Sequence, residues 1–136
     1  MELELTKKEY QEFLNNIDNH LINLKMKMKI KNIDFSINCI DEVEKYFENI
    51  NDMNSEDIKE FWAYFGEAIR HYVGGDYKLA PKSEDVALTP IIINYGYKEK
   101  WKIRQSPEVW RDKLVRKKLN TKLSENVKYL IEKYGD

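Results

Sequence analysis

Few residues in this 136-residue chain are of types that do chemistry unaided. The two histidines, His20 and His71, lie far apart, and a metal site would need both beside carboxylates in one place. The single cysteine, Cys39, excludes an intramolecular disulfide framework and a cysteine-rich zinc site. It falls on the apolar stripe of an expected helix and reads as a buried, inert thiol. Gly74-Gly75 follows a helix rather than preceding one and lacks the spacing of a phosphate-binding loop. No Gly-x-Ser-x-Gly elbow occurs. Neither a metal nor a cofactor is expected. The most pointed feature is Gly66-Glu67, inside Tyr64-Phe65-Gly66-Glu67-Ala68-Ile69-Arg70. A mid-helix glycine costs about 1 kcal/mol against alanine and marks close approach of another backbone, here a strand. A carboxylate among apolar neighbours needs a partner, which Arg70 or a backbone amide would supply. The structural reading is a packing glycine and a satisfied glutamate. The chemical one is a catalytic Glu67 with His71, which requires a concave pocket holding both.

The elements that must position these residues follow from periodicity. Thr6 and Glu9 form a capping box, and Tyr10, Phe13, Leu14, Ile17, Leu21 and Leu24 form one stripe, so a helix is expected over 7–24. The alternating Lys25–Lys31 run fits a short strand or a helix end and linker, and the second reading is favoured because no partner strand is evident nearby. A second helix is expected over 37–50, capped by Ser36 or Asp34. The third, capped by Ser55, carries Ile58, Phe61, Trp62, Phe65, Ala68, Ile69, Tyr72 and Val73 at unbroken helical spacing, which makes it the central core helix. Gly74 and Gly75 end it. The period then changes. Asp76–Ala80, a segment around Ile91-Ile92-Ile93 and Lys100–Arg104 suggest an antiparallel sheet of two or three strands, with Pro90 opening the middle one or marking an edge. Ser106-Pro107-Glu108 starts a helix running to about Leu119, and a last helix spans 123–134. The expected architecture is α+β: three N-terminal helices, a small sheet, two C-terminal helices, in a single domain over 1–136.

The composition, 42% apolar and 35% charged, is that of a globular chain and not a disordered one. No apolar run approaches a membrane span, and the acidic N-terminus lacks the basic and apolar segments of a signal peptide, so a cytoplasmic protein is expected. Balanced charge hides segregation. Residues 34–67 hold ten acids and two bases, net −8, while residues 98–122 hold ten bases and three acids, net +7. Either the two stretches neutralise each other, or one faces a partner of opposite sign, where its field speeds association and rejects wrong partners. The acidic stretch suits a basic protein, such as a nuclease that must itself bind phosphate. The basic stretch suits nucleic acid, with Trp101 and Trp110 available for stacking or, at least as well, for the core.

Asp34-Phe-Ser-Ile, Ile40-Asp-Glu-Val, Tyr64-Phe-Gly-Glu, Gly74-Gly-Asp-Tyr and Pro107-Glu-Val-Trp together set a pattern over Ile33–Trp110. It resembles that of small bacterial proteins similar to immunity proteins encoded beside polymorphic or contact-dependent inhibition toxins. The resemblance covers a little over half the chain, with Tyr77 standing where tryptophan is expected. Its motifs are packing motifs, so it implies fold more than activity.

The resulting expectation is an immunity protein that occludes a cognate toxin through the exposed acids Glu44, Glu48, Asp52, Glu56 and Glu60. The alternative is a nucleic-acid-binding module using Lys100, Lys102, Arg104, Arg111, Arg116 and Lys117. Gly66, Glu67, Gly74 and Gly75 are expected to be structural.

Overall fold

The computed structural model describes residues 2–96 and 104–135. Six α-helices and a three-stranded antiparallel sheet make up the described residues, so the α+β class holds and the helix count is one higher than expected. The extra helix comes from a break in the first. Helix α1 (Lys7–Asn15) opens with the expected box: Glu9 N–H donates to Thr6 Oγ1 at 3.1 Å, and Thr6 N–H donates to Glu9 Oε1 at 3.0 Å. It stops at Asn16, which leaves the helical region (φ −112°, ψ 15°) while its side-chain amide donates to the Glu12 carbonyl at 2.8 Å. An asparagine that bonds nearby backbone competes with the helical ladder. The buried stripe crosses the break undisturbed through Phe13, Ile17, His20 and Leu24, so periodicity does not reveal it. Helix α2 (Ile17–Met28) absorbs the start of the Lys-Met alternation and ends at Lys29 in the left-handed conformation.

Helix α3 (Ile37–Glu48) starts from Ser36, whose Oγ accepts from Cys39 N–H at 3.2 Å. Helix α4 (Ser55–Val73) is capped by Asn54 and not by Ser55. The reason is reciprocal bonding. Asp57 N–H donates to Asn54 Oδ1 at 2.9 Å and Asn54 N–H to Asp57 Oδ2 at 3.1 Å, whereas a Ser55 cap would face the apolar Ile58. Twelve of the 19 residues of α4 are buried, so it is covered all round and not along one stripe. The rings of Phe47, Phe61, Phe65 and Trp110 run through the core at centroid spacings of 5.0, 4.5 and 5.9 Å, which places Trp110 inside. Helix α4 ends at Gly74 (φ 75°, ψ −158°), outside the left-handed helical region but in one equally closed to side chains.

Strands β1 (Asp76–Leu79), β2 (Pro90–Ile93) and β3 (Arg104–Gln105) lie in that order. Asp76 pairs with Ile93 and Leu79 with Pro90, so Pro90 opens the middle strand; Ile92 pairs with Gln105. Most of the expected third strand, Lys100, Trp101, Lys102 and Ile103, lies outside the described residues, as does Lys98 of the basic stretch. Helices α4 and α5 (Pro107–Val115) pack on β2. Ser106 caps α5 with Pro107 in its first turn, and α6 (Leu123–Tyr134) follows. No helix among the described residues is long and apolar enough to cross a membrane.

Helix α5 stops short of the expected Leu119 because Lys117 turns left-handed, at φ 57°. Lys118 N–H then reaches the Lys113 carbonyl at 2.8 Å and Lys117 N–H the Leu114 carbonyl at 3.1 Å, a Schellman closure. Glycine fits that position without the cost a side chain incurs. Because Lys117 is exposed, Lys117→Gly is expected to stabilise the protein by about 0.5–1 kcal/mol, read as a higher urea midpoint at unchanged slope. A lower midpoint would show that the lysine makes a stabilising contact.

Candidate functional site

Two of the five acids expected on the surface are inside. Glu60 is 1% exposed, and Lys27 Nζ of α2 donates to its two oxygens at 3.0 and 2.9 Å. The same ammonium lies 3.4 Å from Asp57 Oδ1. Burial pushes the Glu60 carboxyl above its ordinary range, and Lys27 pulls it part of the way back. Burial also pulls the Lys27 ammonium down, but the hydrogen bonds and charges of Glu60 and Asp57 outweigh this and leave it raised.

Glu44 is 7% exposed, and its Oε1 accepts from the Leu123 N–H at 2.6 Å. Beside it Ser124 Oγ donates to Asp41 Oδ1 at 2.6 Å. The N-cap residue of α6, Lys122, makes no side-chain cap bond, so α3 caps α6 from across the core. Burial raises the Glu44 carboxyl, the Leu123 amide opposes this, and Glu48 and Asp41 raise it further. A carboxyl whose folded pKa is raised holds its proton more tightly in the native state. Its destabilising contribution is absent at acid pH and appears as pH rises through the window above 4.5. Glu44→Gln keeps an acceptor for Leu123 and removes the charge. The variant is expected to match the parent at acid pH and to gain stability over it toward neutrality, measured by urea titration across pH. A constant difference across that range would contradict the assignment.

The other three expected acids, Glu48, Asp52 and Glu56, are exposed. Glu48 borders two depressions. One, of 480 Å³, lies between the C-terminal ends of α3 and α5 and is lined by Phe47, Ile50, Leu114, Val115, Lys117 and Leu119 among others. The second, of 420 Å³, is lined by Asp41, Glu42, Glu44, Lys45, Glu48 and Lys122. Glu56 sits elsewhere, 3.8 Å from Lys59, in a 280 Å³ depression with Glu9, Glu12, three asparagines and His20. His20 is buried against Phe13, ring centroids 5.6 Å apart, and its Nδ1 has no hydrogen-bond partner among the described residues. Burial holds its pKa below the ordinary value; Glu56 opposes this, and Lys59 and Lys27 add to it.

The basic set is also thinned. Arg111 is 6% exposed, and its guanidinium grips Glu108 with two bonds of 2.7 Å, while Glu108 accepts from Trp62 Nε1 at 2.9 Å. It is a core group and not part of a basic surface. Arg104 pairs with Glu84, and Arg116 with Asp112 at 2.9 Å. Lys117 is exposed; Lys100 and Lys102 lie outside the described residues. Lys117 and Lys122 line the same two depressions as Glu48, so the acidic and basic stretches face each other across a groove.

Glu67 is satisfied in the expected manner: its Oε2 accepts from Arg70 Nη1 at 2.9 Å and from Tyr77 Oη at 2.8 Å. Gly66 marks a close approach from β1, but by the Tyr77 side chain and not by backbone. His71 is exposed, its ring 5.3 Å from that of Phe35, and neither His71 nor Glu67 lines the depressions above. Cys39 is buried and free. Among the described residues no group of three or more His, Cys, Asp or Glu could hold a metal ion. Comparison with protein-family models, curated proteins and solved structures gives no match.

Proposed function

We propose that this protein is a bacterial immunity protein that binds a cognate toxin and neutralises it by stoichiometric occlusion. The contact surface in this reading is the acidic side of α3 and the loop that follows it. One observation carries it: Glu42, Glu48 and Asp52 are exposed and take part in no ion pair among the described residues, while neighbouring acids are consumed by the fold. Surface carboxylates held in no ion pair cost little stability and steer a basic partner, such as a nuclease domain, toward one side of the molecule. The likeness of the packing motifs to immunity proteins supports the same reading.

The test begins with the adjacent reading frames, where a large toxin-like one is expected, and continues with co-expression of its C-terminal domain; the absence of such a frame counts against the reading. Binding of the purified pair is then measured at two salt concentrations. Glu42→Lys, Glu48→Lys and Asp52→Lys combined change only exposed side chains. They are expected to weaken binding at low salt by about tenfold or more and to flatten its salt dependence. Unchanged affinity and unchanged salt dependence would remove electrostatics from the mechanism.

A further inference from the structure

Helix α1 is held along its own length by one buried side chain. That residue is Phe13, with Tyr10 and Leu14 half-buried beside it. At its two ends the chain is tied differently: Leu5 N–H donates to the Leu88 carbonyl at 2.9 Å, and Asn16 breaks the helix without giving α2 a side-chain cap. The Phe13 ring meets Trp62 of α4 edge-on at 6.1 Å and Tyr77 of β1 at 6.2 Å, and it stacks on His20 of α2. His20 is 8% exposed, and its enclosed Nδ1 has no partner among the described residues. Such a ring is tolerated while neutral. Proton uptake puts an N–H on both nitrogens, so Nδ1 becomes a charged donor with no acceptor. His20 also borders the 280 Å³ depression, where the charged groups come from two other helices: Glu9 and Glu12 of α1, and Glu56 and Lys59 of α4. Lys27, two turns along α2, is tied to Glu60 and Asp57. Three carboxylates against one ammonium make the depression a better place for an imidazolium than the seat beside Phe13.

We propose that His20 is an acid-sensitive latch on α1. Neutral, it completes the seat of Phe13; protonated, it turns out toward Glu9, Glu12 and Glu56, and α1 lifts off the core between Leu5 and Asn16. Seated, the ring holds a proton less tightly than an ordinary histidine, because burial opposes the charge, Glu56 supports it, and Lys59 and Lys27 oppose it. Released, it titrates near the ordinary 6.5. The seated form is therefore fully favoured above that value and loses ground as pH falls from it through the lowered one. Ordinary carboxylates titrate below this window. Release uncovers Phe13 and the faces of Trp62 and Tyr77 that it covers, while α4 stays in place. The inference does not rest on the toxin reading.

The test is amide hydrogen exchange followed by NMR at about pH 7 and about pH 5, expressed at each pH as protection relative to the unfolded chain. Protection of the α1 amides is expected to fall about tenfold at the lower pH, while that of the α4 amides is unchanged. The His20 ring protons should titrate with a lower midpoint than those of the exposed His71. His20→Phe removes the proton site and keeps a ring against Phe13, so its α1 protection should be the same at both pH values. His20→Leu makes the same comparison with a smaller side chain, should phenylalanine overfill the site. His71→Gln should respond to pH as the parent does. Equal α1 protection at the two pH values in the parent, a loss that survives both His20 substitutions, or a loss shared equally by α4 would each overturn the proposal. So would a His20 midpoint at or above that of His71, or disappearance of the response in His71→Gln.

Discussion

Lys27→Met is expected to cost about 2–3 kcal/mol of stability in urea unfolding at neutral pH. The substitution keeps most of the aliphatic stem and removes the one ammonium that holds both oxygens of Glu60. Stranding a fully buried charge typically costs 3–5 kcal/mol. The smaller figure is chosen because the Lys27 side chain is 38% exposed and water screens its side of the pair. Asp57 loses less, since its other oxygen stays in the capping box with Asn54. Two further results separate this mechanism from lost packing. Without the ammonium, burial acts on Glu60 unopposed, so the deficit should shrink as pH falls and the carboxyl takes up a proton. Lys27→Met combined with Glu60→Leu should return to within about 1 kcal/mol of the parent, because an apolar pair of similar size needs no partner. A deficit independent of pH and not repaired by the second substitution would refute a stranded charge.

Glu60 also shows how far sequence could be read here. The caps at Thr6, Ser36 and Ser106, the central helix and the glycines that end it follow from local chemistry, and the structure has them. Burial of the two acids follows from a signal one step less direct. Glu44 stands four residues after Ile40 and three before Phe47, inside the very stripe that defines α3. Glu60 stands within a helix whose apolar residues surround its axis, and such a helix leaves no solvated face for a carboxylate. Their partners, Lys27 and the amide of Leu123, come from remote segments, so no local spacing could name them. The same holds for Arg111 and Glu108, whose i,i+3 spacing is that of a surface pair but whose site, against Trp62 and Met53, is internal. The Asn16 break is hidden for another reason: the stripe continues across it, and only the non-helical backbone of Asn16, whose side chain shares the Glu12 carbonyl, marks the place. The 480 Å³ depression combines two helix ends with the connection between α5 and α6, a meeting that tertiary packing alone decides.

Gly66→Ala sets two effects of opposite sign against each other. Helix propensity favours alanine by about 1 kcal/mol. A Cβ at Gly66, however, would lie 2.6 Å from Tyr77 Oη and 3.1 and 3.2 Å from two of its ring carbons. The outcome therefore depends on whether Tyr77 can move. Its hydroxyl donates to Glu67 at 2.8 Å, Phe13 meets its ring edge-on at 6.2 Å, and the Arg70 guanidinium lies 5.1 Å from the ring centre. Arg70 is itself tied to Glu67 and to the carbonyl of Gly75, the residue before β1. Moving the ring breaks the hydroxyl bond and displaces neighbours fixed on α1 and α4, so overpacking outweighs propensity, and a net loss of about 1–2 kcal/mol is expected. Tyr77→Phe removes the atom in closest conflict at the cost of one hydrogen bond, about 1 kcal/mol, and leaves Glu67 paired with Arg70. In that background Gly66→Ala should cost clearly less, giving a favourable coupling in a double-mutant cycle. If Gly66→Ala instead stabilised the protein by its full propensity gain, the spacing of β1 from α4 would not depend on the glycine.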